Sequence, residues 1–382
     1  MNKIMYHFEI SEKIDTEKWI NNLLRNDYST FYQNPEYLKK DSTRFPIFVY
    51  IYDENKSVKG QLALTVLIQQ STYSTIKLKK YMNFISKIGN RASWVSGPII
   101  HSDNELEKNK ILDLFFQAME EIIEKYNLII LDGYSAPQNQ NIDQKYLDKF
   151  QNNGFKIEKF VTFVFDMNKT VEELFKNVQK YMRVNINRAK KRGIKVIEIK
   201  SKNQLNDYYS LEKKWISTKG ITTEKYEYNL EKDWQKIDIG NEKIFLAYQN
   251  EEVISGLKIN HFNKIASPIR VLSTYSNLTS LGGPALTWHA IEWSKKSGMK
   301  TYDLTGGEAA PKDKNKIFAY EKKWGSLLKY KRKWGGNEQS YYHFIKVKKS
   351  FKYKIIRLLS KPDQIYRNYK HSKIKSQKKN KL

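Results

Sequence analysis

The chain has 382 residues, 40% of them apolar and 14% aromatic, with a formal net charge of +27. That apolar share supports packed cores and excludes a disordered polyelectrolyte, while the absence of cysteine excludes disulfides and thiolate chemistry. The charge attracts polyanions, whether nucleic acid, anionic lipid or phosphorylated substrates. Six scattered histidines (His7, His101, His261, His289, His343 and His371) form no metal-ligand pattern. The N-terminal stretch MNKIMYHFEISEKID has no apolar core, and no run approaches the ~18 apolar residues of a spanning helix. The expectation is a cytoplasmic protein without signal peptide or membrane span.

In chain order, Tyr6–Ile10 reads as a strand, followed by an amphipathic helix carrying Trp19, Ile20, Leu23 and Leu24. Phe45–Tyr52 and Gly60–Ile68 read as a hairpin, and Ser93–Ile100 as a further strand. Asn104–Tyr126 is a long helix with one apolar face, and Asn127–Asp132 a core strand. Gly154–Asp166 is a strand. Thr170–Arg192 reads as one helix, with Thr170 and Glu173 spaced as a capping box and a basic second half. Gly193 stops it, and the strand Ile194–Ile199 follows.

The second half repeats the first. Ile244–Tyr248 and Gly256–Phe262 form a hairpin, Ile269–Tyr275 a third strand, then come a helix and a strand. Hairpin, strand, helix and strand therefore occur twice, each copy ending on an aspartate at a strand terminus, Asp132 and Asp303. A loop, a short helix around Ile317–Trp324 and a strand come next. Tyr341–Ser360 reads as a basic amphipathic helix. From Lys346 to Leu382 there are fourteen Lys/Arg and one acid, Asp363, so the last segment reads as a basic tail.

The stretch Leu281–Gly307, LGGPALTWHAIEWSKKSGMKTYDLTGG, is the most informative. Gly282-Gly283-Pro284 opens a helix with proline at its first position. A bare glycine turn there exposes unpaired N–H groups at the positive end of the helix dipole, which suits a phosphate or an acyl oxygen. The same turn also serves a helix that simply packs on a sheet.

Four pieces together resemble the FemABX-like aminoacyl/acyltransferases. They are GFKIEKFVTFVFDM with the following EELFKNVQKYMRVNINRAKKRGIKV, SGLKI at Ser255–Ile259, the GGPALTWHAIEWSKKSGMKTYDLTGG stretch, and IFAYEKKWGS at Ile317–Ser326. The resemblance spans roughly Thr30 to Trp334 and implies an α/β fold of tandem GNAT-like units, each a mixed twisted sheet flanked by helices. The expected division is 1–153 for the first unit, 154–340 for the second, which carries the motifs, and 341–382 for the basic helix and tail.

The resemblance further implies N-acyl transfer to an amine of a cell-wall or surface-glycan precursor, phosphorylated or lipid-linked. The donor would be aminoacyl-tRNA or acyl-CoA, used as a substrate rather than held as a permanent cofactor. Asp132, in ILDGY, falls where the family carries a functional aspartate and would accept the amine proton; otherwise it caps a loop. Arg183 and Arg188 stand in the family's basic helix as phosphate ligands, or else on a solvated face, and Lys40 resembles a second phosphate-binding lysine. Gly282, Gly283, Tyr302, Asp303, Gly306 and Gly307 make up the substrate-binding set, with Asp303 fixing the turn that presents the two glycines.

The family's late Phe-Lys-x-x-Phe-Gly motif meets Tyr320-Glu321 here, and the nearest cations are Lys322 and Lys323. Lys322 is therefore the second catalytic candidate. The basic segment 341–382 would also hold the enzyme at the inner face of an anionic membrane or grip tRNA. A non-catalytic RNA-binding protein is the alternative of another class.

Overall fold

The computed structural model describes residues 5–38, 44–67, 89–139, 141–218, 230–238, 240–273, 281–311, 321, 325–348 and 350–359. The chain divides into two compact units. The first holds the described residues of Met1–Phe160 and Ser340–Arg367, the second those of Val161–Gln339.

The first unit carries β1 (Tyr6–Ser11), α1 (Thr16–Leu24), β2 (Arg44–Asp53), β3 (Val58–Leu67), β4 (Asn90–Trp94), β5 (Ile99–Ile100), α2 (Glu105–Lys125), β6 (Leu128–Tyr134) and α3 (Gln144–Asn152). The chain leaves this unit within β7 (Lys156–Asp166). The second unit carries α4 (Val171–Asn177), α5 (Lys180–Lys191), β8 (Lys195–Glu198), α6 (Lys202–Thr218), α7 (Leu230–Asp238), β9 (Glu242–Gln249), β10 (Glu252–Phe262), β11 (Ile265–Ser273), α8 (Gly282–Lys296), β12 (Thr301–Glu308) and α9 (Ser326–Arg332). The chain returns to the first unit within β13 (Asn337–Val347) and ends its described part in α10 (Ser350–Leu359).

Each unit repeats one topology. In the first, β1 to β4 pair antiparallel in order, and β4 then pairs parallel to β6 through the α2 crossover. In the second, β8 to β11 pair antiparallel in order, and β11 pairs parallel to β12 through α8. Parallel neighbours need such a crossover, and a helix supplies it while covering the sheet. α2 is capped by the Asn104 side chain, which accepts from Leu106 N and Glu107 N, and it buries Ile111, Phe115, Ile122 and their neighbours. α8 likewise buries Leu286, Ala290 and Ile291.

Four expected elements differ. The helix expected over Thr170–Arg192 is two helices. Its capping box is present at Thr170 and Glu173, but Val178 and Gln179 are extended. Burial of Val178 and donation from Gln179 N to Lys333 O at 2.9 Å outweigh helical continuity there. The strand expected over Ser93–Ile100 stops at Trp94, because Ser96 adopts φ +57° and turns the chain before β5.

The basic helix expected over Tyr341–Ser360 begins only at Ser350. Residues up to Val347 form β13, where His343 pairs with Tyr134 and Ile345 with Asp132. The run YYHFIKV is aromatic and β-branched, and it satisfies the ladder groups of β6. The short helix expected around Ile317–Trp324 lies largely outside the described residues, and the LLKYKR segment after it is α9 rather than a strand.

Candidate functional site

The second unit opens a gap in its own sheet. The parallel register of β11 and β12 pairs Ile265 with Thr301 and Ala266 with Tyr302, near the start of each strand. In the first unit, the equivalent β4–β6 register runs on from Asn90/Leu128 to Trp94/Gly133, and the Trp94 ring lies so close to Gly133 that no side chain fits there. Between β11 and β12 lies a cavity of about 230 Å³, walled by Leu257, Pro268, Val271, Leu304, Leu327 and Trp334 among others. The β10–β11 register pairs Lys258 with Arg270 and Ile259 with Pro268, leaving Ile269 as a bulge on the cavity wall. Bulges of this kind turn a side chain toward a site and end pairing.

Besides Arg270 on β11 and Thr287 on α8, the polar groups of the cavity come from β12 and α9. Lys331 Nζ donates to Leu304 O at 2.7 Å and to Thr305 Oγ1 at 2.8 Å. Burial lowers its amine from the usual lysine range to about 8, with Asp303 pulling weakly the other way. Thr305 holds φ +60°, a left-handed conformation unusual for a β-branched residue. It is held there by Asp303, whose Oδ1 accepts from Thr305 N at 2.7 Å and from the Thr162 hydroxyl. Tyr302 is fully buried, and its hydroxyl has no hydrogen-bond partner among the described residues.

The glycines divide by role. Gly306 lies within β12, where a Cβ would come within 1.6 Å of Val161 O, so it permits the close approach of β7. Gly307 is buried in the same strand. Asp303 shapes the chain ahead of the two glycines, which sit in a strand and not in the turn read from the sequence. At the start of α8, Gly282 backs onto Ser255, whereas a Cβ on Gly283 would meet open space. No side chain caps this helix. Its first N–H groups therefore remain available to an anion.

The other expected residues lie apart from this cavity. Arg183 is half-buried on α5 and donates Nη1 to Lys176 O at 3.3 Å, while Arg188 is exposed one turn on. α5 packs against α8. Asp132 belongs to the first unit, where Arg91 donates Nε to Oδ1 at 2.8 Å and Nη2 to Oδ2 at 2.5 Å. His343 Nε2 lies 3.0 Å from Oδ2, and its ring stacks on Tyr134 with centroids 4.2 Å apart. Burial pushes the Asp132 carboxyl up, but the His343 and Arg91 hydrogen bonds more than offset it, and the pKa lies below its ordinary value. A carboxylate so engaged is a weak proton acceptor. Lys40 and Lys322 lie outside the described residues.

No protein-family model and no curated protein sequence matches the chain. Solved structures do. FemX is 14% identical with a TM-score of 0.65, covering 91% of this chain and 99% of its own. L-PGS from Bacillus licheniformis is 14% identical with a TM-score of 0.52, covering 92% and 99%. A tandem GNAT protein from the clavulanic acid biosynthesis pathway is 10% identical with a TM-score of 0.50, covering 90% and 98%. The fold is FemABX-like and of GNAT type.

Lys331, which lines the cavity, is not among the residues expected from the sequence. The spacing aromatic-Lys-x-x-aromatic-Gly occurs a second time, at Tyr330-Lys331-Arg332-Lys333-Trp334-Gly335, and there the lysine is kept. In the earlier copy Glu321 pairs with Lys329 at 2.9 Å, while Lys322 and Trp324 lie outside the described residues; in the later copy Lys331 and Trp334 line the cavity. Among the described residues no cluster of His, Cys, Asp or Glu is arranged to hold a metal ion. No described helix is long and apolar enough to cross a membrane.

Proposed function

We propose that this protein is an N-acyltransferase that moves an acyl or aminoacyl group onto an amine of a cell-wall or surface-glycan precursor. The observation that carries the reading is the Lys331 ammonium at the cavity between β11 and β12, held by the Leu304 carbonyl and the Thr305 hydroxyl.

Acyl transfer needs an attacking amine, donors for the oxyanion and a fixed geometry between reactants. The amine nitrogen forms the new C–N bond at the donor carbonyl, and the carbonyl oxygen takes up the negative charge. On collapse the C–S or C–O bond of the donor breaks, and the proton lost by the amine leaves with the thiol or the tRNA hydroxyl. Lys331 keeps a third N–H after its two protein bonds. With the Tyr302 hydroxyl, it supplies donors for that oxygen. The uncapped start of α8 at Gly282-Gly283 receives a donor phosphate, and Arg183 and Arg188 on the adjoining α5 add positive charge. Asp303 acts by holding Thr305 in place, and Asp132 by holding Arg91 and His343.

The donor is acyl-CoA or aminoacyl-tRNA, and one experiment separates them. Purified protein is tested by thermal shift and filter binding with acetyl-CoA and with charged and uncharged tRNA over a salt series, followed by transfer to an amine acceptor. Binding of charged tRNA that weakens on Arg183→Ala supports aminoacyl transfer. Binding of CoA with only salt-labile tRNA contact supports an acyl-CoA donor. Indiscriminate RNA binding with neither donor used would replace this reading by RNA binding driven by the charge of +27.

A further inference from the structure

Three features of the second-unit cavity bear on which acyl group it takes. The first is size. An apolar protein cavity of about 150 Å³ accommodates benzene, and this one measures about 230 Å³. An acetyl or glycyl group would leave most of it unfilled. The second is lining. Ile269, Val271, Leu327 and Tyr330 are large apolar residues left 37–43% exposed, and all four border the cavity, giving it an apolar mouth. The third is charge. Among the described residues, the charged side chains on the wall are Arg270 and Lys331, and none of the lining residues is a carboxylate. Arg270 is already paired with the buried Glu212. Asp303, behind the wall, has Oδ1 taken up by Thr162 and Thr305.

We infer that the transferred group is a bulky, uncharged apolar acyl group without a free ammonium. Its chain fills the space between β11 and α9, and its carbonyl lies toward the Tyr302 hydroxyl and Lys331. The inference rests on the acyltransferase reading and narrows it to a substrate class. Filling the mouth removes apolar surface of both partners from water. An ammonium placed beside Lys331 would be buried against a like charge, with no carboxylate among the described lining residues to pair it. The buried Tyr302 hydroxyl on the cavity wall, without a hydrogen-bond partner among the described residues, is a donor placed for an uncharged carbonyl oxygen.

The test uses matched amide probes on the full chain by ligand-observed NMR titration at neutral pH. 3-Phenylpropanamide, L-phenylalaninamide and acetamide differ in turn by an α-ammonium and by size. The expected result is that 3-phenylpropanamide binds at least about tenfold more tightly than either of the others. Val271→Trp, at the exposed mouth, abolishes that preference without moving the thermal midpoint, and Tyr302→Phe weakens the amide while the fold is kept. Equal binding of phenylalaninamide or acetamide, no probe binding, or a preference untouched by Val271→Trp would each overturn the inference. The broader reading is scored separately in the transfer assay. Transfer from acetyl-CoA or charged tRNA without this preference removes the inference alone, whereas the preference without transfer from any donor removes the enzyme.

Discussion

Lys331 on α9 and Thr305 on β12 form the central contact of the site. The lysine Nζ donates to the threonine hydroxyl at 2.8 Å, and the threonine presents that hydroxyl from a left-handed backbone at φ +60°. Strain of this kind persists where the surroundings over-determine it. Here Asp303 fixes the Thr305 N–H, and Gly306 lets β12 press against Val161. The strained residue and the lowered amine are therefore parts of one arrangement.

Replacing Lys331 by methionine removes the charge while keeping much of the packing. Transfer is expected to fall about 10²- to 10³-fold, the range for loss of an oxyanion donor. Burial holds the amine near 8, so its charged form, the one that stabilises the oxyanion, is lost as pH rises through about 8. Activity should decline over that range, and Lys331→Arg should keep a low rate without the decline. Stability carries the opposite sign. The unfolded lysine titrates near 10.5, so between about 8 and 10.5 the unfolded chain binds more protons, and the wild type gains stability relative to Lys331→Met as pH rises. Paired urea titrations at neutral and alkaline pH measure the difference.

Asp132→Asn is expected to act first on the fold of the first unit. The carboxylate holds Arg91 through both oxygens and faces His343, and breaking a buried charged hydrogen-bond set costs about 1–3 kcal/mol. Because the Asp132 pKa is depressed, its contribution is complete above the ordinary carboxylate range and disappears as pH falls through the folded value. The gap in urea midpoint between wild type and variant should therefore be wide at neutral pH and close in acid. A transfer rate that collapses with no change in midpoint would make Asp132 the proton acceptor after all.

The repeated order of hairpin, strand, helix and strand could be read from periodicity, because apolar alternation and glycine punctuation are local signals. So could the Thr170 capping box and the long helix that follows Asn104. Non-local effects decided the rest. Gln179 leaves the helix to donate to Lys333, 154 positions later, and YYHFIKV becomes a strand because β6 offers it an edge. Lys331 shows the same limit in the site. The motif spacing occurs at both Tyr320 and Tyr330, and that Lys331 of the second copy lines the cavity between β11 and β12 is set by the fold and not by the spacing.

Two glycine substitutions should part company. Gly306→Ala sets a methyl group 1.6 Å from Val161 O, a clash with backbone that forces β7 and β12 apart. Overpacking of this kind costs about 3 kcal/mol or more, and it also displaces Thr305. Gly283→Ala meets open space at the start of α8 and should leave the thermal midpoint nearly unchanged. Thermal melts of the two variants make the comparison, and equal losses would contradict the close strand approach.

The last helix, α10, offers a different kind of surface. Phe351 is 74% exposed and Leu358 60% exposed. They are seven residues apart, which places them on one face about two turns from each other. Lys352 and Lys354 lie between them in sequence. An apolar pair flanked by lysines suits the headgroup boundary of an anionic bilayer, where each basic residue adds roughly 1 kcal/mol and salt screens the attraction. Flotation with phosphatidylglycerol vesicles should retain the wild type at low salt and release it at high salt, while phosphatidylcholine vesicles should not retain it. Phe351→Asp with Leu358→Asp removes the apolar contact and adds two negative charges without touching either core, so the variant should remain folded and stay in solution. Flotation of that variant with wild-type efficiency would assign membrane contact, if any, to the basic residues beyond Leu359 instead.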